Sequence, residues 1–441
     1  MNGPVLVVDA GSASLHLAVV DPADRILARR DFDRAPDAAT GPALAEFVDA
    51  APPVVACGHR LVHGGPHLRS PVIVDEAVRT RLDEAAPLAP AHVPPALAVL
   101  DAARRALPDL PHIACPDTAF HSGLPEPART YALPRELTRR HGLYRYGFHG
   151  LSYAYALRRA AQVLGRPAEE LRLVIAHLGG GCSACAVREG VSVDTTMGFT
   201  PLEGIPMSTR SGSVDPGMLL WLQTALGLGP ERLREVLGAE SGLLGLSGTS
   251  GDTRDLVRAR AAGDAAAALA LDVFTLGVRR GIAGVAASLD RLDALVFTGE
   301  IGEDQPEVRE AVAAGLGVLG VEGSLAPANP AEPALVSAPG AAVPVLVVPT
   351  GEIQQIAHET RACLRAAGPA ATSDRPLLQH EGGPADDHGR LPGAASRTGT
   401  GSPQPPPDEA RVRRANEDRP RRDHVVPLTP ASEDDDAPGS P

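Results

Sequence analysis

The reading of the fold turns on Val174–Gly217, VIAHLGGGCSACAVREGVSVDTTMGFTPLEGIPMSTRSGSVDPG. An apolar strand breaks at Gly179-Gly180-Gly181, resumes as an alternating strand, turns at Glu189-Gly190 and runs into a polar segment ending in Arg210. Glycine has no Cβ, so the N–H groups of a bare glycine turn approach an anion closely. An arginine on the same segment holds a second anion through two parallel donors. The stretch therefore predicts a phosphate site beside a carboxylate or phosphoryl site.

The same pattern opens the chain. PVLVVDAG is an apolar strand ending in a carboxylate and a glycine turn, LHLAVV follows it, and ILARRDF is a third strand after Asp21-Pro22. Setting Gly11 on Gly179 places Ala18 on Ala186 and Val19 on Val187. Two copies of strand, turn and strand predict two similar α/β domains facing one another across a cleft.

Composition narrows the function. The 441 residues allow two domains and a tail, at roughly 100 to 200 residues per domain. Aromatics are only 3% against 44% hydrophobic residues, so Ala, Val and Leu must build the core. A net charge of -13 argues against nucleic acid or an anionic membrane as partner. No run approaches the ~18 apolar residues of a membrane span, and the first residues do not read as a signal peptide, so a cytoplasmic protein is expected. The cysteines at 57, 115, 182, 185 and 363 form neither a disulfide framework nor a paired metal pattern. The chain has no lysine at all, which excludes a Walker A loop.

Further along, VVACGHRLVHGG delivers Arg60 to a glycine-rich loop, helices are expected over about 74–86 and 94–107, and the strand HIACPDTAFH carries Asp117. Charged residues at the ends of buried strands mark the ligand-binding edge of an open α/β sheet. A helix over about 152–165 follows, then the Val174–Gly217 stretch, an Ala-rich helix ending near Asp290, the strand ALVFTGEIGED, the strand VPVLVVPTGE and a last helix to about Ala366. From 368 to 441 the chain is rich in Pro, Gly, Ser, Asp and Arg, and it is expected to be disordered for want of apolar surface to bury.

GHRLVHGG, LAPAHVPP, DTAFH, YALP, RYGFHGLS, HLGGG, SVDTTMGFTPLEG, TRSGSVDPG, ESGLLGLSG, VFTGEIGE and VVPTGE resemble, in order and spacing, the motifs of acetate kinases. This acetokinase branch belongs to the superfamily of actin, hexokinase and the heat-shock chaperone ATPases. The resemblance implies two duplicated actin/hexokinase-like (ribonuclease H-like) domains with the active site in the cleft between them. The first would span 1–148, the second 149–351, with the helix at about 352–367 returning to the first. It also implies Mg²⁺, ATP and ADP, a short-chain carboxylate such as acetate or propionate, a homodimer formed through the second domain, and reversible phosphoryl transfer.

Carried over by motif, Arg60 and Arg210 would grip the carboxylate and the transferring phosphoryl oxygens, His149 would stabilise the transition state with Arg210, and Asp117 would serve catalysis. Asp9 and Glu352 would attend the metal. Ser12, His16, His177, Gly179, Gly180, Gly181, Asp252, Thr253, Arg254, Gly299, Glu300, Ile301, Gly302 and Asp304 would face the nucleotide, and Val62, Ala91, Phe148 and Pro201 the acyl group. His92 takes the place of the histidine in the family's Leu-His-Asn-Pro-Pro. Several positions depart from the pattern. Asp9 replaces an asparagine, His16 a lysine, Gly180 an asparagine, Thr253 a phenylalanine, Glu300 a glycine and Ala91 a leucine. The smaller Ala91 leaves room for a longer acyl chain, so propionate is expected to compete well with acetate, one methylene being worth ~1 to 3 kcal/mol. Two other readings keep the same fold: a kinase using another donor such as pyrophosphate, and a non-catalytic relative that binds nucleotide or carboxylate.

Overall fold

The computed structural model describes residues 3–11, 14–32, 40–90 and 92–368. Ser12, Ala91 and the tail from 369 to 441 lie outside the described residues. Two six-stranded sheets form the frame. The first has β1 (Val5–Ala10), β2 (Leu15–Val20), β3 (Ile26–Phe32), β4 (Ala56–Leu61), β5 (Val72–Ile73) and β6 (His112–Pro116), ordered β3-β2-β1-β4-β6-β5. The second has β7 (Arg172–Leu178), β8 (Cys182–Arg188), β9 (Val191–Thr195), β10 (Ala294–Thr298), β11 (Ala334–Leu335) and β12 (Val345–Val347), ordered β9-β8-β7-β10-β12-β11.

Strand for strand the sheets are copies. The first three strands of each pair antiparallel, the next two joins are parallel, and the short edge strand closes antiparallel. Each copy carries a register shift at the same place, between Val19 and Val20 in β2 and between Ala186 and Val187 in β8. This corrects the alignment drawn from the sequence. Ala10 pairs with Leu15 across the first turn, whereas Leu178 pairs with Cys182 across the second, so the second turn is one residue shorter. The offset of 168 holds for β1 and β7 alone. Across the turn Val19 corresponds to Ala186 and Ala18 to Cys185, because a one-residue slip in register exchanges the faces of a strand.

The faces agree with that correction. Leu6, Val8, Leu15, Leu17 and Val19 share one buried cluster, as do Val174, Ala176, Cys182, Ala184 and Ala186 in the second sheet. On the first, helices Thr40–Ala50, Glu76–Ala85 and Val93–Ala106 cover this face. On the second it is covered by the long helix Ala265–Ala286, whose Phe274, Val278 and Ile282 are fully buried. The helix Thr40–Ala50 was not anticipated from the sequence. Its Gly41-Pro42 start resembles a turn, and Leu44 and Phe47, with the partly buried Val48, anchor it in the core.

The opposite faces are covered reciprocally. The helix Gly150–Leu164 follows the first sheet but packs Tyr153, Ala156 and Ala160 on the second. The helix Glu352–Ala367 follows the second sheet but packs Ile356, Ala357 and Leu364 on Val5, Val7, Ala18 and Ile113 of the first. The latter contact is close at Gly58 in β4, where an added Cβ would lie 2.1 Å from Thr360 Oγ1 and 2.9 Å from Ile356 Cγ2. Gly58→Ala is therefore expected to destabilise the fold by about 1–3 kcal/mol, the usual cost of overpacking, read as a lower urea midpoint.

Candidate active site

The chemistry-bearing residues gather at the carboxyl ends of the parallel strands, where open α/β sheets bind ligands. Asp9 lies near the end of β1, Arg60 near the end of β4, and Asp117 just beyond β6. Glu352, the first residue of the last helix, completes this half. Arg60 Nη2 donates to Asp117 Oδ2 at 3.0 Å, and Nη1 lies 3.2 Å from Asp9 Oδ1 and 3.8 Å from Glu352 Oε2. Burial disfavours the guanidinium charge, yet the carboxylates of Asp117, Asp9 and Glu352 outweigh it and hold the Arg60 pKa well above its ordinary range. Burial also raises the Asp117 carboxyl against the pull of Arg60, and lifts Glu352 to about 7.

These residues suit a hard divalent cation. The donors are all oxygens, the Asp117 Oδ1 atom is buried without a partner among the described residues, and three carboxyl groups face one guanidinium. Among the described residues, the trio whose possible ligand atoms do lie within 4.8 Å of one another is a different group. Cys57, His59 and His112 come together on β4 and β6, but His59 Nε2 and His112 Nδ1 are joined at 2.9 Å and burial pushes the Cys57 thiol up. That group is a neutral, satisfied part of the core.

The second half supplies donors. His177 lies on β7, the Gly179–Gly181 turn follows, and Arg210 comes from the loop after β9. His149 caps the helix Gly150–Leu164 in a left-handed conformation, φ 60°, of the kind held at functional positions by surrounding structure. Gly150 makes this possible, since its N–H donates to Asp117 O at 3.0 Å and a Cβ there would lie 2.0 Å from that oxygen. The His149 and His177 rings stack with centroids 4.1 Å apart. Burial, then its neighbour His177 and the two arginines, keep His149 well below the usual imidazole range, and burial and Arg60 lower His177 to about 4. Both rings are therefore neutral near pH 7.

The three glycines of the turn have no left-handed φ, so their value is approach rather than bending. A Cβ on Gly181 would lie 3.2 Å from His149 Nε2 and 3.6 Å from Arg210 Nη1, one on Gly179 would lie 3.7 Å from the Glu300 amide nitrogen, and Gly180 is open. Arg210 Nη1 donates to Pro201 O at 3.4 Å, and the side chain forms no ion pair among the described residues. Burial, the largest influence on it, lowers its pKa. His92, at the start of the helix Val93–Ala106, feels both Arg210 and Arg60, which places it in the same electrostatic cluster.

The remaining positions divide. Val62 and Phe148 join one apolar cluster, and His63 packs edge-on against Phe148. His16 faces Asp31 across β2 and β3 and bonds to it at 2.8 Å, so its ring is engaged with the sheet edge. Asp252 caps the helix Thr253–Ala261 and pairs with Arg254, Thr253 is buried, and Glu300 acts on Arg254 through charge. Gly299 needs its φ of 81° and sits where a Cβ would strike Leu178 O at 2.5 Å. Ile301 is buried, and a Cβ on Gly302 would make only ordinary contact. Asp304 offers its backbone carbonyl to Asn329 Nδ2 at 3.0 Å.

Sequence reasoning missed the residues that hold these loops. Buried Arg309 donates to Gly302 O at 3.0 Å and to Glu303 O at 2.6 Å, pinning the 299–304 turn. Glu303 Oε1 accepts from Thr350 N at 2.6 Å and so ties that turn to the segment entering Glu352. Ser152, Ser183 and Tyr153 lie behind the two imidazoles. Only the GEIGEDQPEVRE spacing, with an arginine among apolar helical positions, carried a signal for any of them.

Comparison with known proteins gives the family. A family model for the acetokinase family matches residues 43–358. The acetate kinase of Leifsonia xyli subsp. xyli is 48% identical over 311 residues, 70% of this chain and 78% of that protein. The acetate kinase of Deinococcus deserti is 47% identical over 317 residues, 71% of this chain and 79% of that protein. Among solved structures, the acetate kinase of Porphyromonas gingivalis superposes with a TM-score of 0.75 at 32% identity, covering 82% of this chain and 99% of its own. A propionate kinase from Francisella tularensis superposes equally, TM-score 0.75 at 31% identity, covering 82% of this chain and all of its own. The chain belongs to the acetokinase family.

The two arginines differ in what surrounds them, and their variants should differ accordingly. Arg60→Ala leaves three carboxylates facing each other and is expected to lower both the unfolding free energy, by about 3–5 kcal/mol, and activity. Arg210→Ala is expected to lower kcat about 10²–10³-fold while leaving the denaturant midpoint unchanged, because no ion pair is broken.

Proposed function

We propose that the protein is a short-chain carboxylate kinase that transfers the γ-phosphoryl group of ATP to acetate or propionate, reversibly, giving an acyl phosphate and ADP. The observation that carries this reading is Arg210, which forms no ion pair among the described residues, beside His149 Nε2 at the Gly181 turn and within electrostatic reach of the Arg60 carboxylate cluster. One carboxylate oxygen of the acid attacks the γ-phosphorus, the bond to the ADP oxygen breaks, and no proton is consumed. A loose in-line transition state of this kind asks the protein for position and charge rather than covalent chemistry.

Arg210 would hold the acid and the transferring oxygens, and the neutral His149 would donate from Nε2 without adding a buried charge. Asp117 would orient the cation and the acid, and Asp9 and Glu352 would hold Mg²⁺ directly or through water. Mg²⁺ would neutralise phosphate charge as it develops. The glycine turn and the 299–304 turn would take the phosphates and nucleoside of ATP, and Val62, Phe148, Pro201 and Ala91 the acyl chain. We read residues 1–148 and 149–351, with 352–367 returning to the first, as the two domains that bring these sets together. Five free cysteines support work in the reducing cytoplasm.

A homodimer through the second half is supported by its unburied apolar surface. The helix Pro216–Ala225 buries no residue and exposes Leu220 and Trp221, while Leu269, Val273 and Leu276 form an exposed stripe on the long helix. Trp221→Glu should convert the dimer to a monomer in size-exclusion chromatography with light scattering; an unchanged mass would remove this face from the interface.

Trapping the product with hydroxylamine tests the activity itself. Acetate and propionate, each with ATP, GTP or pyrophosphate, should yield acyl hydroxamate with ATP, and propionate should be discriminated against less than in relatives that keep leucine at the position of Ala91. Absence of product with every donor would leave only a binding protein.

A further inference from the structure

His149 can donate toward the Gly181 turn only if its single proton is on Nε2, and an isolated neutral imidazole has no strong reason to put it there. The structure supplies a reason behind the ring. His149 Nδ1 lies 2.8 Å from Ser183 Oγ, and the same oxygen is in short hydrogen-bond contact with the phenol of Tyr153. Ser183 and Tyr153 are fully buried, the first on β8 and the second on the helix that His149 caps.

The direction of this chain follows from counting protons. A serine hydroxyl and a tyrosine phenol each carry one donor hydrogen. Burial holds the Tyr153 phenol far above its ordinary pKa, so its proton stays on. Among the described residues, Ser183 Oγ is the hydrogen-bond partner of that phenol. If Tyr153 donates to Ser183, the serine hydrogen finds its acceptor in His149 Nδ1 and the imidazole proton is left on Nε2, whereas a protonated Nδ1 would leave the buried serine hydrogen without that acceptor. In the reverse direction His149 donates from Nδ1 to Ser183 and Ser183 to Tyr153. The phenolic hydrogen is then buried with no acceptor, the costly arrangement for a polar group.

We infer that Tyr153 and Ser183 form a one-way hydrogen-bond relay that fixes His149 as the Nε2–H tautomer and so aims a neutral donor at the Gly181 turn. Tyr153 and Ser183 are positioning residues: they act through His149 and touch no substrate. The inference rests on the reading above in which His149 donates to the transferring phosphoryl group. The neighbouring ring is an internal contrast. His177 Nδ1 meets Ser152 Oγ at 2.8 Å, but among the described residues no tyrosine bonds to that serine, so nothing equivalent sets its direction.

The tautomer is measured directly by ¹⁵N side-chain NMR on the full chain labelled at histidine, with His149→Gln used to assign the signals. The expected result is a protonated, pyrrole-like Nε2 and an unprotonated Nδ1 for His149. A protonated Nδ1 would overturn the relay whatever the activity. Tyr153→Phe should mix the tautomers and lower kcat about tenfold while KM for the acid and for ATP stays within twofold. Ser183→Ala should lower kcat further, and Ser183→Thr, which keeps the hydroxyl, should restore it. A pure Nε2–H signal and an unchanged kcat in Tyr153→Phe would also overturn the relay. Failure of the kinase reading looks different: no acyl phosphate from the unsubstituted chain with any donor, independent of the tautomer seen.

Discussion

One guanidinium shared among three carboxylates holds the candidate site together. Arg60 reaches Asp9 from β1, Asp117 from the end of β6 and Glu352 from a helix that begins almost three hundred residues later. Asp9 and Asp117 are buried and Glu352 is partly buried, and Arg60 is the cation within reach of all three. A lone charge in such surroundings would neutralise or stay in water. The strand ends, the start of the last helix and the His149 cap, which is fastened to the Asp117 carbonyl through Gly150, must therefore arrive together. A phosphate or metal ligand would enter a frame whose charges are already placed.

Much of this frame was legible in the sequence. Strands that end in Asp9, Arg60 and Asp117 read directly as a ligand edge, and the recurrence of strand, turn and strand gave the duplication. The alignment erred where sequence is least informative, in the length of a turn. Gly11 and Gly179 align, but three residues close the second hairpin and four the first, and Ala- and Val-rich strands hide a one-residue slip because apolar residues occupy both faces.

Other features were invisible for a different reason. His16 looked like a replacement for a phosphate-binding cation, yet its partner is Asp31, one strand over, and cross-strand pairing depends on register. Arg309 bonds to backbone carbonyls, which leave no residue-type signature. Ser183 and Tyr153 are thirty positions apart and meet because the helix that follows the first sheet in the chain lies on the second sheet.

That exchange of closing helices also bears on origins. A single half made alone would carry a helix whose apolar face matches another copy's sheet, and a sheet whose own cover is missing. Two such halves would satisfy each other only as a swapped pair, each lending its last element to its twin. Joining them in one chain makes that mutual loan intramolecular, at an effective concentration in the millimolar range for short connections. The reciprocal packing seen here is what a fused, once-intermolecular partnership would retain.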